Sequence, residues 1–261
     1  MKKYLPIALM ICLVSCKNKD KPVVVVNNNA PAVMGHSIVN TYKHDTSSYT
    51  QGLVIYNGAM YEGTGNYGFT KLRKVDMTTG KMEREISLDK KYFGEGITIL
   101  RDTVYQLTWK EKKVFVYRLN DFSKIKEYDI ATDGWGLTND GTNLIVSTGG
   151  SDLYFYDPST FKLLKTQTVT ESGSPVNNIN ELEYINGYVY ANQYLAAYIL
   201  KIDTATGIVV AKADVSSMWQ RIKAIDPNAD VPNGIAYDAA TKKIYITGKL
   251  WPELYEVQFS Q

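Results

Sequence analysis

Phe93-Gly94-Glu95-Gly96-Ile97-Thr98 is the clearest copy of a pattern that recurs through most of the chain. Degraded copies start at Gln51-Gly52-Leu53, Trp135-Gly136-Leu137, Asn180-Glu181-Leu182 and Asn233-Gly234-Ile235. From Gln51 through Glu95, Trp135 and Asn180 to Asn233, the first residues lie 44, 40, 45 and 53 positions apart. Five repeats of that length match the four-stranded blades of a propeller. The glycines keep the frame, but the residue before them changes from Gln to Glu, Trp, Asn and Asn. A repeat that holds its frame and varies one position uses that position for something specific.

Working outward, each repeat carries four short runs rich in Val, Ile, Tyr and Thr, separated by turn residues. In the second repeat the runs are Glu95 to Leu100, Val104 to Trp109, Lys113 to Arg118 and Ser123 to Ile130, with turns at Arg101-Asp102 and Asn120-Asp121. Asp76, Asp157 and Asp203 open turns between the third and fourth runs, because an aspartate can bond its own backbone there. The fifth repeat stops after its third run, Leu254 to Phe259, while Ser37 to His44 precedes the first repeat as an unmatched strand. The expected fold is therefore all-β, a five-bladed propeller whose last blade is completed by an N-terminal strand. Closure in this way pairs edges that an open array would expose. A sandwich with chance spacing is the competing architecture. The one helical candidate, Ser216 to Ile225, falls in the longest interval.

The sequence has 261 residues, 20 tyrosines, two histidines and a formal charge of +2. Lys2 and Lys3 supply that excess, so residues 16–261 carry none, and nothing suggests a nucleic-acid partner. Residues 1–15 read as a signal peptide: a charged start, a short apolar run and Leu13-Val14-Ser15-Cys16, which resembles a lipobox. Cys16 would carry the lipid, anchoring the protein in a bacterial cell envelope with its domain outside the cytoplasm. Residues 16–35 read as a flexible tether and 36–261 as the propeller, expected to be a monomer. Cys12 leaves with the leader, so the mature chain has neither a free thiol nor a disulfide. His36 and His44 lie outside the repeated positions, which leaves no zinc ligand set and no metal expected.

In a propeller the first strand of each blade lines the channel. Gln51, Glu95, Trp135, Asn180 and Asn233 should then converge, with Tyr49, Phe93, Asp133, Asn178 and Val231, two residues earlier, facing the same side. The ends of the second strands give another ring, Gly65, Trp109, Gly149, Tyr194 and Lys249, at the same mouth. One carboxyl among aromatic walls should have a raised pKa, which suits proton transfer. Each residue also has a plain reading. Blade aromatics usually pack between blades, Asn before Gly is often a turn, and a strand-end Lys is usually solvated. Glu62 reads as a strand-end residue, and Glu181 and Glu183 fall off the rings.

Tyr49-Thr50-Gln51-Gly52-Leu53, Tyr61-Glu62-Gly63-Thr64-Gly65, Phe93-Gly94-Glu95-Gly96, Gly134-Trp135-Gly136-Leu137-Thr138, Asn180-Glu181-Leu182-Glu183 and Thr247-Gly248-Lys249-Leu250-Trp251-Pro252 together resemble the plant-type glutaminyl-peptide cyclotransferase family, from about Thr41 to Glu256. The resemblance implies a five-bladed propeller and a reaction that uses neither metal nor other cofactor. The amine of an N-terminal glutamine attacks its own side-chain amide, releasing ammonia and leaving pyroglutamate. Partners would be peptides or proteins with N-terminal glutamine. It implies Glu95, Lys249 and Asn180 as catalytic residues and Gln51, Tyr49, Phe93, Trp109 and Trp135 as the substrate pocket. Tyr194 and Asn233 join that pocket from their ring positions. Tyr194 stands where the family often has Trp, and Ser147-Thr148-Gly149-Gly150 lacks the usual Asp after Ser. Two other functions fit the ring: a non-catalytic propeller binding peptide or glycan, and a calcium-dependent lactonase using Glu95 and the asparagines.

Overall fold

The computed structural model describes residues 30–260, so the leader, Cys16 and most of the tether lie outside it. Five sheets follow the five repeats. Blade one holds Thr50–Tyr56, Ala59–Thr64, Lys71–Val75 and Met82–Ser87, and blade two holds Gly94–Leu100, Thr103–Thr108, Lys113–Arg118 and Lys124–Asp129. Blade three has shorter inner strands, Leu137–Asn139 and Leu144–Val146, before Asp152–Tyr156 and Leu163–Thr168. Blade four runs through Ile179–Ile185, Tyr188–Gln193, Tyr198–Asp203 and Val209–Asp214. Blade five is Pro232–Asp238, Lys243–Gly248 and Glu253–Ser260, closed by the N-terminal strand Gly35–Lys43. The strands Gly35–Lys43 and Glu253–Ser260 thus lie side by side in one sheet, as the unmatched strand predicts.

The helix Ser216–Ile225 buries Met218 and Ile222, four residues apart, in the cluster between blades four and five. It accounts for the longest repeat interval. The domain start requires a correction. Residues 32–35 do not belong to a free tether, because Ala32–Val33 adds a parallel strand to the outer edge of blade four and Met34 is buried there. Covering that edge strand is the physical reason. Among the described residues no helix is long and apolar enough to cross a membrane.

Each junction between neighbouring blades has its own apolar cluster, five in all among the described residues. The glycine frame has a steric cause at the inner end of those junctions. A Cβ on Gly52 would lie 2.4 Å from the Ile97 nitrogen, one on Gly96 2.5 Å from the Leu137 nitrogen, and one on Gly136 2.0 Å from the Asn180 oxygen. The inner strands of blades one, two and three therefore touch the backbone of the next blade, and only glycine permits that approach. Blade four has Glu181 in this place. Its buried carboxylate accepts from the Leu53 and Ile235 nitrogens of blades one and five, at 3.2 and 2.8 Å, so it staples three inner strands across the axis. Glu183 similarly accepts from the Tyr237 nitrogen and the Thr138 hydroxyl.

Candidate active site

In four of the five blades the residue ahead of the framing position sits at an irregularity. Register shifts occur in four inner-strand ladders, between Thr50 and Gly52, Gly94 and Ile97, Ile179 and Leu182, and Pro232 and Ile235. A bulge breaks the two-residue alternation and re-aims the side chain. Gln51, Glu95 and Asn180 are turned by it into the mouth of the ring, together with Trp135 from blade three. The second strands end against them. Gly65 lies where a Cβ would strike Phe93 and Gln51, and Gly149 where one would strike Trp135. The two rings therefore meet, and they enclose a cavity of about 200 Å³.

Its walls hold Tyr49, Phe93, Trp109, Trp135 and Tyr194, and its polar groups are Gln51, Glu95, Asn180 and Lys249. The aromatic rings contact one another edge to face, Phe93 with Trp109 at 5.5 Å and Trp135 with Tyr194 at 5.5 Å. This geometry favours rigid walls. A cavity smaller than the roughly 300–1,000 Å³ of drug-sized sites takes about one residue, not a whole peptide.

Asn233 differs from its ring expectation. It is fully buried behind Gln51 and off the lining, donating from Nδ2 to the Thr50 oxygen at 2.9 Å and to Gln51 Oε1 at 3.1 Å. That contact fixes the Gln51 amide with its NH₂ group free for the cavity. The alternation expectation also fails for Asp133, Asn178 and Val231, which leave the lining to Tyr49 and Phe93. Asp133 pairs with Lys110 at 3.3 Å, Asn178 has a φ of 65°, and Val231 is buried. For Asn178 and Val231 the bulges that aim the first ring inward are the reason. Ser147 is a support that the repeat did not mark: its hydroxyl donates to the Asn180 oxygen at 2.7 Å and accepts from the Gly136 nitrogen at 2.8 Å.

Glu95 is only 4% exposed. Its carboxyl makes no side-chain hydrogen bond among the described residues. Burial pushes its pKa well above the usual carboxylate range, Lys249 opposes the shift, and Glu111 and Asp133 add to it. The Lys249 ammonium lies between two aromatic faces, 4.6 Å from the centre of Tyr49 and 5.0 Å from that of Tyr194. Such faces attract a cation. Burial lowers its pKa, against the pull of Glu95 and Asp230. Burial thus shifts the acid and the base each toward its neutral form. The Asn180 amide also lacks a hydrogen-bond partner among the described residues, which leaves it for a ligand. No group of three His, Cys, Asp or Glu side chains suited to a metal occurs among the described residues.

Fold and site together define a five-bladed propeller with a residue-sized pocket whose few polar groups are held between aromatic walls. Comparison with known proteins narrows this class. The sequence profile of the glutamine cyclotransferase family matches residues 7–259. A glutaminyl-peptide cyclotransferase of Arabidopsis thaliana is 39% identical over 227 residues, covering 86% of this chain and 71% of that protein. The crystal structure of Myxococcus xanthus glutaminyl cyclase superposes with a TM-score of 0.83 at 34% identity, covering 88% of this chain and 98% of the other. The chain belongs to the glutamine cyclotransferase family.

Proposed function

We propose that Glu95 is the proton carrier with which this glutaminyl-peptide cyclotransferase closes an N-terminal glutamine into pyroglutamate. One observation carries the assignment: a buried carboxyl of raised pKa, without a protein hydrogen-bond partner, in a one-residue cavity. The substrate's α-amine nitrogen bonds to its own side-chain amide carbon, and the carboxylate of Glu95 takes the proton that this nitrogen loses. A tetrahedral intermediate results. Glu95 then returns the proton to the amide nitrogen, the old carbon–nitrogen bond breaks, and ammonia leaves. The carboxyl ends as it began, and its tuned pKa suits both halves. Lys249 and the Asn180 amide stabilise charge on the intermediate's oxygen. Phe93, Trp109 and Trp135 hold the side chain curled against its own amine and exclude water that would hydrolyse the amide.

The test is mass spectrometry of a Gln-initiated peptide incubated with the leaderless domain and a chelator. Ammonia loss above the spontaneous rate in wild type, abolished in Glu95→Gln, is the expected result. Turnover that survives the substitution removes Glu95 from this role, and turnover that the chelator stops favours the calcium-dependent reading instead. From residues 1–16 we further infer an envelope lipoprotein acting outside the cytoplasm. Palmitate labelling of the full chain should vanish in Cys16→Ser; label retained in that variant would sink the anchor assignment.

A further inference from the structure

The cavity holds one residue, so the rest of a peptide substrate must lie on the rim. The loop after Gly65 stands there. Tyr67 meets Phe93 of the cavity wall edge to face at 5.4 Å, and its hydroxyl donates to Glu111 Oε1 at 2.8 Å. The other Glu111 oxygen accepts from the Phe93 nitrogen at 3.2 Å, so blade two clamps this loop of blade one against the wall. The loop is braced internally as well. The Phe69 nitrogen donates to the Asn66 oxygen, and the Thr70 hydroxyl bonds the Asn66 and Tyr92 oxygens. Yet Tyr67 is 48% exposed and Phe69 75% exposed. Single exposed apolar residues need no explanation, whereas two exposed aromatics two residues apart, on a braced loop that continues the wall of a binding cavity, mark a contact surface.

We propose that Tyr67 and Phe69 form a subsite for an apolar or aromatic side chain on the residue that follows the substrate's glutamine. This rests on the cyclase reading of the cavity. The carboxylate that contacts this loop is that of Glu111, bonded to Tyr67. An acidic second residue is therefore disfavoured as well as poorly packed. Leu195, 68% exposed beside Tyr194 in blade four, is the other apolar candidate. It stands alone and lacks a clamp like that of Glu111.

The experiment compares kcat/KM for glutamine amide, Gln-Gly-amide, Gln-Phe-amide and Gln-Asp-amide. Wild type should prefer Phe over Gly by about tenfold, the effect of partly burying one aromatic side chain, and should take Asp last. Tyr67→Ala and Phe69→Ala should each bring the Phe-to-Gly ratio below about threefold while the glutamine amide rate stays within about twofold. Leu195→Ala should leave the ratio unchanged. The proposal is overturned by a ratio preserved in both aromatic variants, by loss of the ratio in Leu195→Ala alone, by a parallel fall with glutamine amide, or by no wild-type preference. Failure of the cyclase reading looks different: wild type then turns over none of the four compounds.

Discussion

Two carboxylates buried in adjacent blades, Glu95 and Glu62, have opposite surroundings. Glu95 faces the cavity with no side-chain hydrogen bond. Glu62, 1% exposed at the seam of blades one and five, accepts from Thr50 Oγ1 at 2.7 Å and Ser48 Oγ at 3.0 Å, with His44 Nε2 at 3.1 Å and Arg73 at 4.0 Å. The other ring nitrogen of His44 lies 2.7 Å from the Trp251 carbonyl, which can only accept. Both ring nitrogens must then donate, so the imidazole is charged. Burial alone would raise the Glu62 pKa and lower that of His44. The contacts reverse both, leaving Glu62 lowered and His44 raised, while Glu95, with little but Lys249 to offset burial, is raised. The difference teaches that burial does not decide what a carboxylate is for. Its partners do: a satisfied charge fixes structure, and an unsatisfied one is held ready for a ligand.

The largest expected effect tests the cavity side. Glu95→Gln should lower kcat by about 10²–10⁴-fold, the range for a positioned acid–base group, with KM little changed. Its melting temperature should equal or exceed that of wild type, because an unpaired buried acid has been removed. A variant that melts much lower would make Glu95 a structural residue like Glu62. The mirror experiment is Glu62→Ala. It strands His44 and Arg73 as buried charges and should cost about 3–5 kcal/mol, or roughly 6–20 °C in melting temperature for a domain of this size. Well below that temperature, kcat per folded molecule should stay within a few-fold of wild type. A catalytic loss like that of Glu95→Gln in a folded Glu62→Ala protein would erase the contrast.

The pH dependence of stability separates the two sites with a smaller effect. Glu62 is lowered on folding, so its contribution is present above its unfolded pKa and lost as pH falls through its folded pKa. His44 is raised, so its contribution is present below its unfolded pKa and lost as pH rises through its folded pKa. Glu95 is raised too, so stability held below its unfolded pKa is lost as pH rises through its folded pKa. The melting-temperature advantage of Glu95→Gln should therefore be near zero at about pH 4, where carboxylates titrate in unfolded chains, and widen above it. An advantage that is flat across the titration would show that Glu95 is not shifted.

The ring was legible because its glycines are required sterically at three of the blade contacts, so the frame survives in the sequence even where Glu181 replaces one. Glu95, Asn180 and Lys249 were legible as polar residues in that frame. Asn233 was in the frame too, but whether a bulged residue reaches the lining depends on backbone geometry that spacing does not encode. Glu62 gave no signal: Arg73 faces it across two strands of blade one, but His44, with Trp251 behind it, reaches it from the blade-five side only when the ring closes. Tyr67 and Glu111 sit in loops outside the repeat and join blades one and two only in three dimensions. The strand Ala32–Val33 is two residues long within polar, Pro-containing sequence, too short to show periodicity.

The smallest effect concerns the cage around Lys249. Tyr194 lies under the ammonium and edge-on to Trp135, while Tyr49 holds the other face and touches Asp230 through its hydroxyl at 3.4 Å. A larger indole face attracts a cation more strongly, and a whole ring contact with a desolvated cation such as Lys249 contributes about 2 kcal/mol, of which exchanging one aromatic face for another changes only a fraction. Tyr194→Trp should therefore change kcat/KM by about fivefold or less if the ring acts only as a face for the lysine. Tyr194→Ala, which also releases Trp135, should lose about tenfold or more. The comparison of the two isolates what the ring supplies. If Trp at 194 cost as much as Ala, the phenol hydroxyl would be the working group, and Tyr194 would move from the wall to the polar set with Glu95 and Asn180.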